Sequence, residues 1–577
     1  DGSFEGSLAG ELELEPETDY ELRVRHRDDS GDRATEWSEW ATREFTTLAE
    51  LDTVPGAPGW LVMQPGYKVQ EVASGFRLPV NIAFVPDASL HASDPLFYVT
   101  ELYGTIKVVS TSGEVSTYRD GLLNYEPSGT FPGTGEQGLA GIAVHPDTGD
   151  VFAAMLYDGG ADTFPMVVRF ESSDGGFTAA ASNVVLDMPG EAQGQSHFIS
   201  NLTFGPDDKL YVHMGDGFVP ETALDLDSFR GKILRLNVDG TPADDNPFYD
   251  VDDGISARDY VWVYGVRNPF GGVWRVSDSE HFVVENGPSV DRLTRARTGD
   301  NFGYTGYDSD MEIGALYNWV PSTGPVNIAF VETEVFAGSG FPSDKYGHAF
   351  VSESGPTWAS GPQALGKRIS EFVFRDDGSV KGEPTPLVQY NGTGKATVAA
   401  LAAGPDGLYF TSLYKDEDFV GPTDAGASVY RVVYTAPPSR GLLGEYFPES
   451  DFAGEPIARV DANIAFNWFA LAPAPGMVAD GFSVRYTGEI QPEFSETYTF
   501  SIDTSDRVRL WVADTLVIDA WEPPLAEASG SISLDADERY PVRLEFAENA
   551  GNARVILSWQ SPSLPLEVVP SDRLYPP

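Results

Sequence analysis

The sequence contains no cysteine, which excludes disulfides and thiolate-held metals without deciding the compartment. Positive charge is also scarce: Lys+Arg number 37 against 88 Asp+Glu, a formal net charge of −51. Such a field repels nucleic acid and anionic membrane, so neither is an expected partner. No apolar run approaches the ~18 residues needed to cross a bilayer, and membrane insertion is not expected. No long stretch keeps a helical period. Residues 1–30 do not read as a signal peptide, and Asp1 opens in mid-pattern, which is compatible with a removed leader.

What the chain does have is turn chemistry. Gly 60, Pro 42, 12% aromatics and short Val/Ile/Phe/Tyr runs point to an all-β protein. At 577 residues it exceeds a single core, and about two to four domains are expected. Residues 1–48 alternate clearly at Tyr20-Glu21-Leu22-Arg23-Val24-Arg25. Residues 49–65, with AELDTVPGAPGW, read as a Pro/Gly linker, and TAPPSR at 435–440 as a second.

Between them, residues 66–434 carry a repeat. A strand, a Pro/Asp/Gly turn and a second strand recur as NIAFVPD…LFYVTE, GIAVHPDTGDVFAAM, NLTFGPDDKLYVHMGD, GGVWRVSDSEHFVVE, GFPSDKYGHAFVSE and ALAAGPDGLYFTSLY. Pro86, Pro146 and Pro206 fall 60 residues apart, and Pro405 lies about three such periods further on. Six copies predict a six-bladed β-propeller, whose radial repetition hides the sheet edges. In the third copy His197 precedes an apolar strand. It is either a general base, since imidazole titrates near neutral pH, or a histidine bonded inside a blade. His213 and Asp216 lie on the strand that follows, with His213 expected to be packed. The acidic loop Asp239–Gly254 lacks the spacing of any defined Ca²⁺ loop and reads as a solvated turn.

The motifs LPVNIAFVPD, GEQGLAGIAVHPD, SHFISNLTFGPDDKLYVHMGD, FRGKILRLNVDGTPADDNPF, YGVRNPFGG, ENGP and GDNFGY resemble the soluble quinoprotein glucose dehydrogenases and glucose/sorbosone dehydrogenase-like propellers. Those proteins use pyrroloquinoline quinone (PQQ). The resemblance implies that PQQ oxidises an aldose, with His197 taking the hydroxyl proton and Arg267 polarising a quinone oxygen. It places Asn268 and Glu136 against the cofactor, and the main-chain carbonyls of Gly287 and Pro288 on an activating Ca²⁺. The family clamps the PQQ carboxylates with cations, and here the sequence departs. The two arginine positions before the last Pro-Asp-Gly are Thr397 and Ala399, leaving Lys395 and Lys367 as candidates, with Arg368 beside the latter. Arg292 stands where a relative's glutamate serves a further Ca²⁺ site.

The spacing Leu14, Pro16, Thr18, Tyr20 resembles the latter half of a fibronectin type III domain, which a partner or self-association would have to complete. Residues 441–577, opening GLLGEYF, alternate as a β-sandwich and resemble the carbohydrate-binding domain first described in anthrax protective antigen. That resemblance puts Asp503, Asp506 and Trp521 (with Trp511 as an alternative) at a glycan site. In all, the sequence predicts a secreted or cell-surface protein that meets sugars or polysaccharide. It is either a PQQ- and Ca²⁺-dependent sugar dehydrogenase or a non-catalytic glycan-binding, adhesion or filament protein.

Overall fold

A computed structural model describes strands at 19–24 and 41–46, then residues 57, 59–86, 93–127, 136–193, 196–375, 377–418, 421, 424–435, 440–469, 472–474, 477–522 and 527–577. The two N-terminal strands, Asp19–Val24 and Ala41–Thr46, pair antiparallel within a unit of their own, residues 1–57. The remaining fibronectin-like residues lie outside the described ones.

The propeller has six sheets. Blade 1 comprises Pro79–Phe84, Pro95–Glu101, Thr105–Ser110 and Val115–Arg119. Blade 2 comprises Leu139–Val144, Val151–Asp158, Thr163–Ser172 and Ala179–Asp187. Blade 3 is Ile199–Phe204, Leu210–Met214, Lys232–Leu236 and Val261–Tyr264, and blade 4 is Gly271–Arg275, Glu280–Glu285, Asp291–Ala296 and Ala315–Trp319. Blade 5 is Pro325–Phe330, Ala349–Glu353, Arg368–Phe372 and Thr385–Tyr390. Blade 6 takes Val398–Gly404, Gly407–Ser412 and Ala427–Tyr434 from the end of the ring and Tyr67–Phe76 from its start, which closes it.

The first strands of the blades pack in a closed ring around the axis, with blade 6 against blade 1. Apolar side chains fill the seams between neighbouring blades. Phe97, Ile82, Phe76 and Tyr409 join blades 6 and 1, and Phe282, Phe330 and Phe372 join blades 4 and 5.

One segment corrects the reading of residues 49–65 as a linker throughout. Trp60–Val62 is a fifth strand on the outer edge of blade 5, paired with Thr385–Tyr390. The pattern missed it because three residues are too few for a period, and the partner lies more than 300 positions away.

The axis is bridged by asparagines from alternate blades. Asn81 Nδ2 donates to Asn201 Oδ1 at 3.3 Å, Asn327 Nδ2 to Asn81 Oδ1 at 3.3 Å, and Asn201 Nδ2 to the Gly272 carbonyl at 2.9 Å. A cavity of about 520 Å³ lies on the side of the Pro turns, lined by Phe84, Pro146, Pro206 and Trp274.

The C-terminal sandwich stacks two antiparallel sheets. One has the order Ile457–Asp461, Leu442–Phe447, Ser483–Ile490, Tyr540–Ala547, Arg507–Val512, Thr515–Ala520. The other runs Ala465–Phe469, Ala553–Ser561, Glu496–Thr504, Glu527–Leu534. Alternate residues such as Tyr446, Tyr486, Phe500, Leu544 and Trp559 fill the space between them.

Candidate functional site

In a four-stranded antiparallel blade, the crossing into the first strand and the turn between the second and third lie at the same end. The predicted residues occupy those connections. Glu136 lies in the crossing before blade 2, His197 just before blade 3, and Arg267 and Asn268 just before blade 4. Asp216 and Gly287-Pro288 follow the second strands of blades 3 and 4. Topology therefore gathers them on one face, opposite the Pro turns.

His197 is buried and holds a left-handed backbone with φ 63°, a costly conformation for a residue with a side chain. Neighbouring groups enforce it. Its N–H donates to Glu136 Oε2 at 2.7 Å, and its carbonyl accepts Gly217 N at 3.1 Å. Gly215 packs so closely that a Cβ there would lie 2.3 Å from the His197 carbonyl oxygen.

The imidazole Nδ1 donates to Asp216 Oδ1 at 2.5 Å, which leaves Nε2 as the proton-accepting nitrogen. Asp216 is almost fully buried, and the same oxygen accepts Phe218 N at 3.0 Å. The Phe218 ring stacks on the imidazole with centroids 4.0 Å apart and planes within 13°, while 55% of the residue stays exposed. Beneath this loop the Lys232 ammonium donates to the carbonyls of Thr222, Ala223 and Arg230, and burial pulls it down to about 7.

Arg267 is tied into the same network. Its carbonyl accepts Asp216 N at 2.7 Å, its N–H donates to the buried Glu285 carboxylate, and Nη1 donates to the Asn286 carbonyl at 2.6 Å, next to Gly287. Asn268 points its amide nitrogen at the Glu136 carboxylate, 3.4 and 3.5 Å away. Arg267 Nε and Asn268 Oδ1 are buried and have no hydrogen-bond partner among the described residues, while the Arg267 side chain also interacts with Tyr304. Gly287 N donates to Asp291 Oδ1 at 3.0 Å, and a Cβ on Gly287 would lie 1.8 Å from the Val290 carbonyl oxygen, so the turn needs glycine. His197, Arg267 and the Gly287 turn thus belong to one connected site. The family resemblance singled out His197, Arg267 and Asn268 as candidates. The linking roles of Asp216 and Glu285 need a contact map that spacing does not supply.

The cation positions do not fit a polycarboxylate. Lys367 is fully buried, donates to the Ala359 carbonyl at 2.5 Å, and lies 4.8 Å over the Tyr390 ring; burial pulls it down to about 8. Arg292 is buried against Glu285, with Nη2 2.6 Å from Oε2, and donates Nη1 to the Phe302, Asp310 and Ile313 carbonyls. Thr397 spends its hydroxyl on the Ser354 carbonyl at 2.5 Å, and Ala399 is buried. Lys395 is half-buried and close enough to lower the Lys367 ammonium. The residues expected to accept a proton and to polarise an oxygen lie in one hydrogen-bonded network, whereas Lys367, Arg292 and Thr397, at the positions expected to hold carboxylates or a further ion, are committed to partners within the chain. Among the described residues no group of three or more His, Asp or Glu could hold a metal. The Asp291 carboxylate is fully engaged by Ser322 Oγ, Thr323 N, Gly324 N and Gly287 N.

Other expectations resolve as structure. His213 is packed: Nδ1 donates to the Pro269 carbonyl at 3.2 Å, and Nε2 sits 3.0 Å from His281 Nε2. In the acidic loop, Asp245 pairs with Arg235 and Asp239 accepts from Thr241.

In the sandwich, Trp521 is flanked by Phe452 and by the Arg509 guanidinium 4.7 Å from its ring, so it does not offer a sugar a bare face. Asp503 pairs with Arg554 at 2.7 Å. Asp506 is raised by burial and lies near Glu548, whose Oε1 is buried without a partner. Trp511 carries the Arg543 guanidinium 3.9 Å from its ring.

Fold and site together give a six-bladed β-propeller with a connected polar site on one face, followed by a C-terminal β-sandwich. Residues 76–339 match the family Glucose / Sorbosone dehydrogenase, and residues 438–573 match the PA14 domain, a carbohydrate-binding-like module. Among curated proteins, the chain is 41% identical over 137 residues to the anti-sigma-I factor RsgI3 of Acetivibrio thermocellus, covering 24% of this chain and 21% of that protein. It is 26% identical over 304 residues to the aldose sugar dehydrogenase YliI of Escherichia coli, covering 50% of this chain and 71% of that protein. A solved glucose dehydrogenase-like oxidoreductase of Thermus shares 29% identity, covering 64% of this chain and all of its own, with a TM-score of 0.48.

Proposed function

We propose that this is an extracellular or cell-surface, carbohydrate-directed protein. Its propeller takes a sugar at the mouth around His197, in the manner of an aldose dehydrogenase, while its PA14 domain engages glycan. The observation that carries this reading is the buried His197–Asp216 pair held beside Arg267 and Asn268. An imidazole whose Nδ1–H is committed to a carboxylate presents Nε2 to a hydroxyl, and the pair accepts that proton as a general base. Arg267, fixed by Asn286 and Glu285, supplies positive charge next to it.

A second reading is PQQ- and Ca²⁺-dependent oxidation, favoured by the family match over residues 76–339 and opposed by the committed cations. Titrating PQQ with Ca²⁺ into the protein, with dye reduction by aldoses, separates the two. Saturable micromolar PQQ binding with reduction lost in His197→Asn supports the oxidase reading. Aldose binding that is lost in His197→Asn, with no uptake of PQQ, supports a sugar site that works without it. No sugar binding in either state ends the proposal. For the PA14 domain, glycan binding in the region of Asp506 and Glu548 is expected, with Ca²⁺ as the candidate ion, and a glycan array run with and without chelator tests it.

A further inference from the structure

We propose that Arg267 and Asn268 form a seat for a hydroxyl group of an uncharged sugar, taken up directly and without a cofactor in between. This rests on the reading of the mouth as a sugar site. It adds which atoms receive the ligand and which class of ligand they accept.

The two residues are consecutive on one turn, and each keeps one buried polar atom unpaired: a donor at Arg267 Nε and an acceptor at Asn268 Oδ1. Buried unpaired groups cost free energy and call for a partner from outside the chain. The orientation of Asn268 follows from its surroundings. Its amide nitrogen faces the Glu136 carboxylate at 3.4 and 3.5 Å, and a flipped amide would set oxygen against oxygen there. The guanidinium is fixed by its bond to the Asn286 carbonyl and its backbone by Glu285 and Asp216.

One donor and one acceptor together match a group that both gives and receives a hydrogen bond. A hydroxyl does so. A quinone or carboxylate oxygen only accepts, and would leave Asn268 Oδ1 facing another lone pair. An ammonium only donates, and would leave Arg267 Nε unpaired.

Charge points the same way. The Glu136 carboxylate borders the seat, with Asp216 and Glu285 behind it. Most nearby cations are already spent: Arg292 on Glu285, Lys232 on three carbonyls, Lys367 on Ala359. The Glu136 carboxylate at the rim therefore repels an anionic ligand, whereas a neutral polyol loses nothing to repulsion. His197 lies in the same network and is positioned to receive the proton of a neighbouring hydroxyl.

The test uses the full chain free of PQQ, with glucose and glucuronate as probes, read by calorimetry and saturation-transfer NMR. Glucose is expected to bind without PQQ, and glucuronate about tenfold or more weaker. Asn268→Leu and Arg267→Met are each expected to weaken glucose about tenfold, the size of one lost hydrogen bond to a buried group. Glu136→Gln should narrow the gap between glucose and glucuronate. Circular dichroism and urea midpoints check that the variants remain folded, and Glu136→Gln, as a gain for glucuronate, does not depend on loss of fold. The seat is overturned if glucose binds only after PQQ and Ca²⁺ are added. It is equally overturned if the Arg267 and Asn268 variants bind glucose as well as the parent, meaning that water alone satisfies those atoms. Either result leaves the mouth a sugar site, whereas no binding of glucose or other aldoses with or without PQQ removes both readings.

Discussion

At the scale of single residues, the mouth is held by strain and compensated charge. His197 keeps a left-handed backbone because Glu136, Gly217 and the close approach of Gly215 leave it no alternative. Its ring, in turn, supplies the charge-assisted donor for Asp216, which is nearly fully buried. His197→Ala removes that donor and leaves a buried carboxylate short of a partner, so it should destabilise the protein by about 1–3 kcal/mol. His197→Asn, which keeps a donor in reach, should cost less. Urea unfolding of the two variants checks this, and equal losses would show that the Asp216 contact carries no weight. The candidate residues His197, Arg267 and Asn268 could be singled out because the resembling motifs are short: Arg-Asn in one turn, His at a fixed offset from the next strand. Their partners could not. Nothing in the spacing pairs Glu136 with His197 or Glu285 with Arg267, since those contacts span 61 and 18 positions and depend on how blades meet.

At the scale of elements, blades 3 and 4 are joined through a pair of neutral histidines. His213 Nδ1–H is committed to the Pro269 carbonyl, so its Nε2 accepts from His281 Nε2–H, and His281 Nδ1 is left bare in an apolar cage with Trp262 and Trp274. Gly272 makes the room, because a Cβ there would lie 2.2 Å from His213 Cε1. Burial pushes His213 down to about 4, and burial together with His213 holds His281 well below the ordinary histidine range. No carboxylate or cation offsets this. The titratable side chain packed against the pair is Tyr211, itself raised by burial and bonded to Asp207. The folded-state values lie below the unfolded value of ~6.5, so the unfolded chain takes up protons that the native protein refuses. Stability is therefore full above ~6.5 and falls as pH drops toward 4, by an amount of order 3 kcal/mol for His213 alone. Glu371 acts in a lower window. Although burial opposes it, bonds from His348, Lys345 and Gln64 hold it down to about 2, and its contribution is lost only below ~4.5. His281→Gln keeps a donor for His213 and removes one titrating ring. The drop in urea midpoint between pH 7 and pH 5 should shrink in this variant, and an unchanged drop would remove the pair as its source. The sequence made the hairpins of each blade visible, because strand–turn–strand is local. It left this seam unread, because whether a histidine on an alternating strand meets another blade is not written in its own period.

At the scale of the molecule, continuity depends on chain segments far from the elements they complete. Tyr67–Phe76 pairs with Ala427–Tyr434 and closes the ring, and the three-residue strand Trp60–Val62 a little upstream does a different job. In Trp60–Val62 successive side chains point to opposite faces. Trp60 enters the seam of blades 5 and 6, edge-on to Tyr390, Phe410 and Tyr430 at 4.9–5.8 Å. Leu61 packs instead against the apolar core of the C-terminal sandwich. A second tie runs beside it, where Asn391, following the strand that Trp60–Val62 joins, donates to the Asn467 carbonyl of the sandwich at 2.7 Å. Just past the strand, Gln64 is pinned by Glu371 and Lys345, so the segment is anchored on blade 5 whatever happens at Leu61. Propeller and sandwich should therefore unfold together, coupled through Leu61 and the neighbouring Asn391 contact. Leu61→Asp would bury a charge against the sandwich core without touching the seam that Trp60 fills, whereas Trp60→Ala would cut about 3–5 kcal/mol from the propeller itself. In scanning calorimetry Leu61→Asp is expected to split one transition into two, with the sandwich melting first. Trp60→Ala is expected to lower the main transition without splitting it. A single unshifted transition in Leu61→Asp would mean that the domains are linked by connectivity alone, and that a glycan held by the sandwich is not presented to the propeller in any fixed direction.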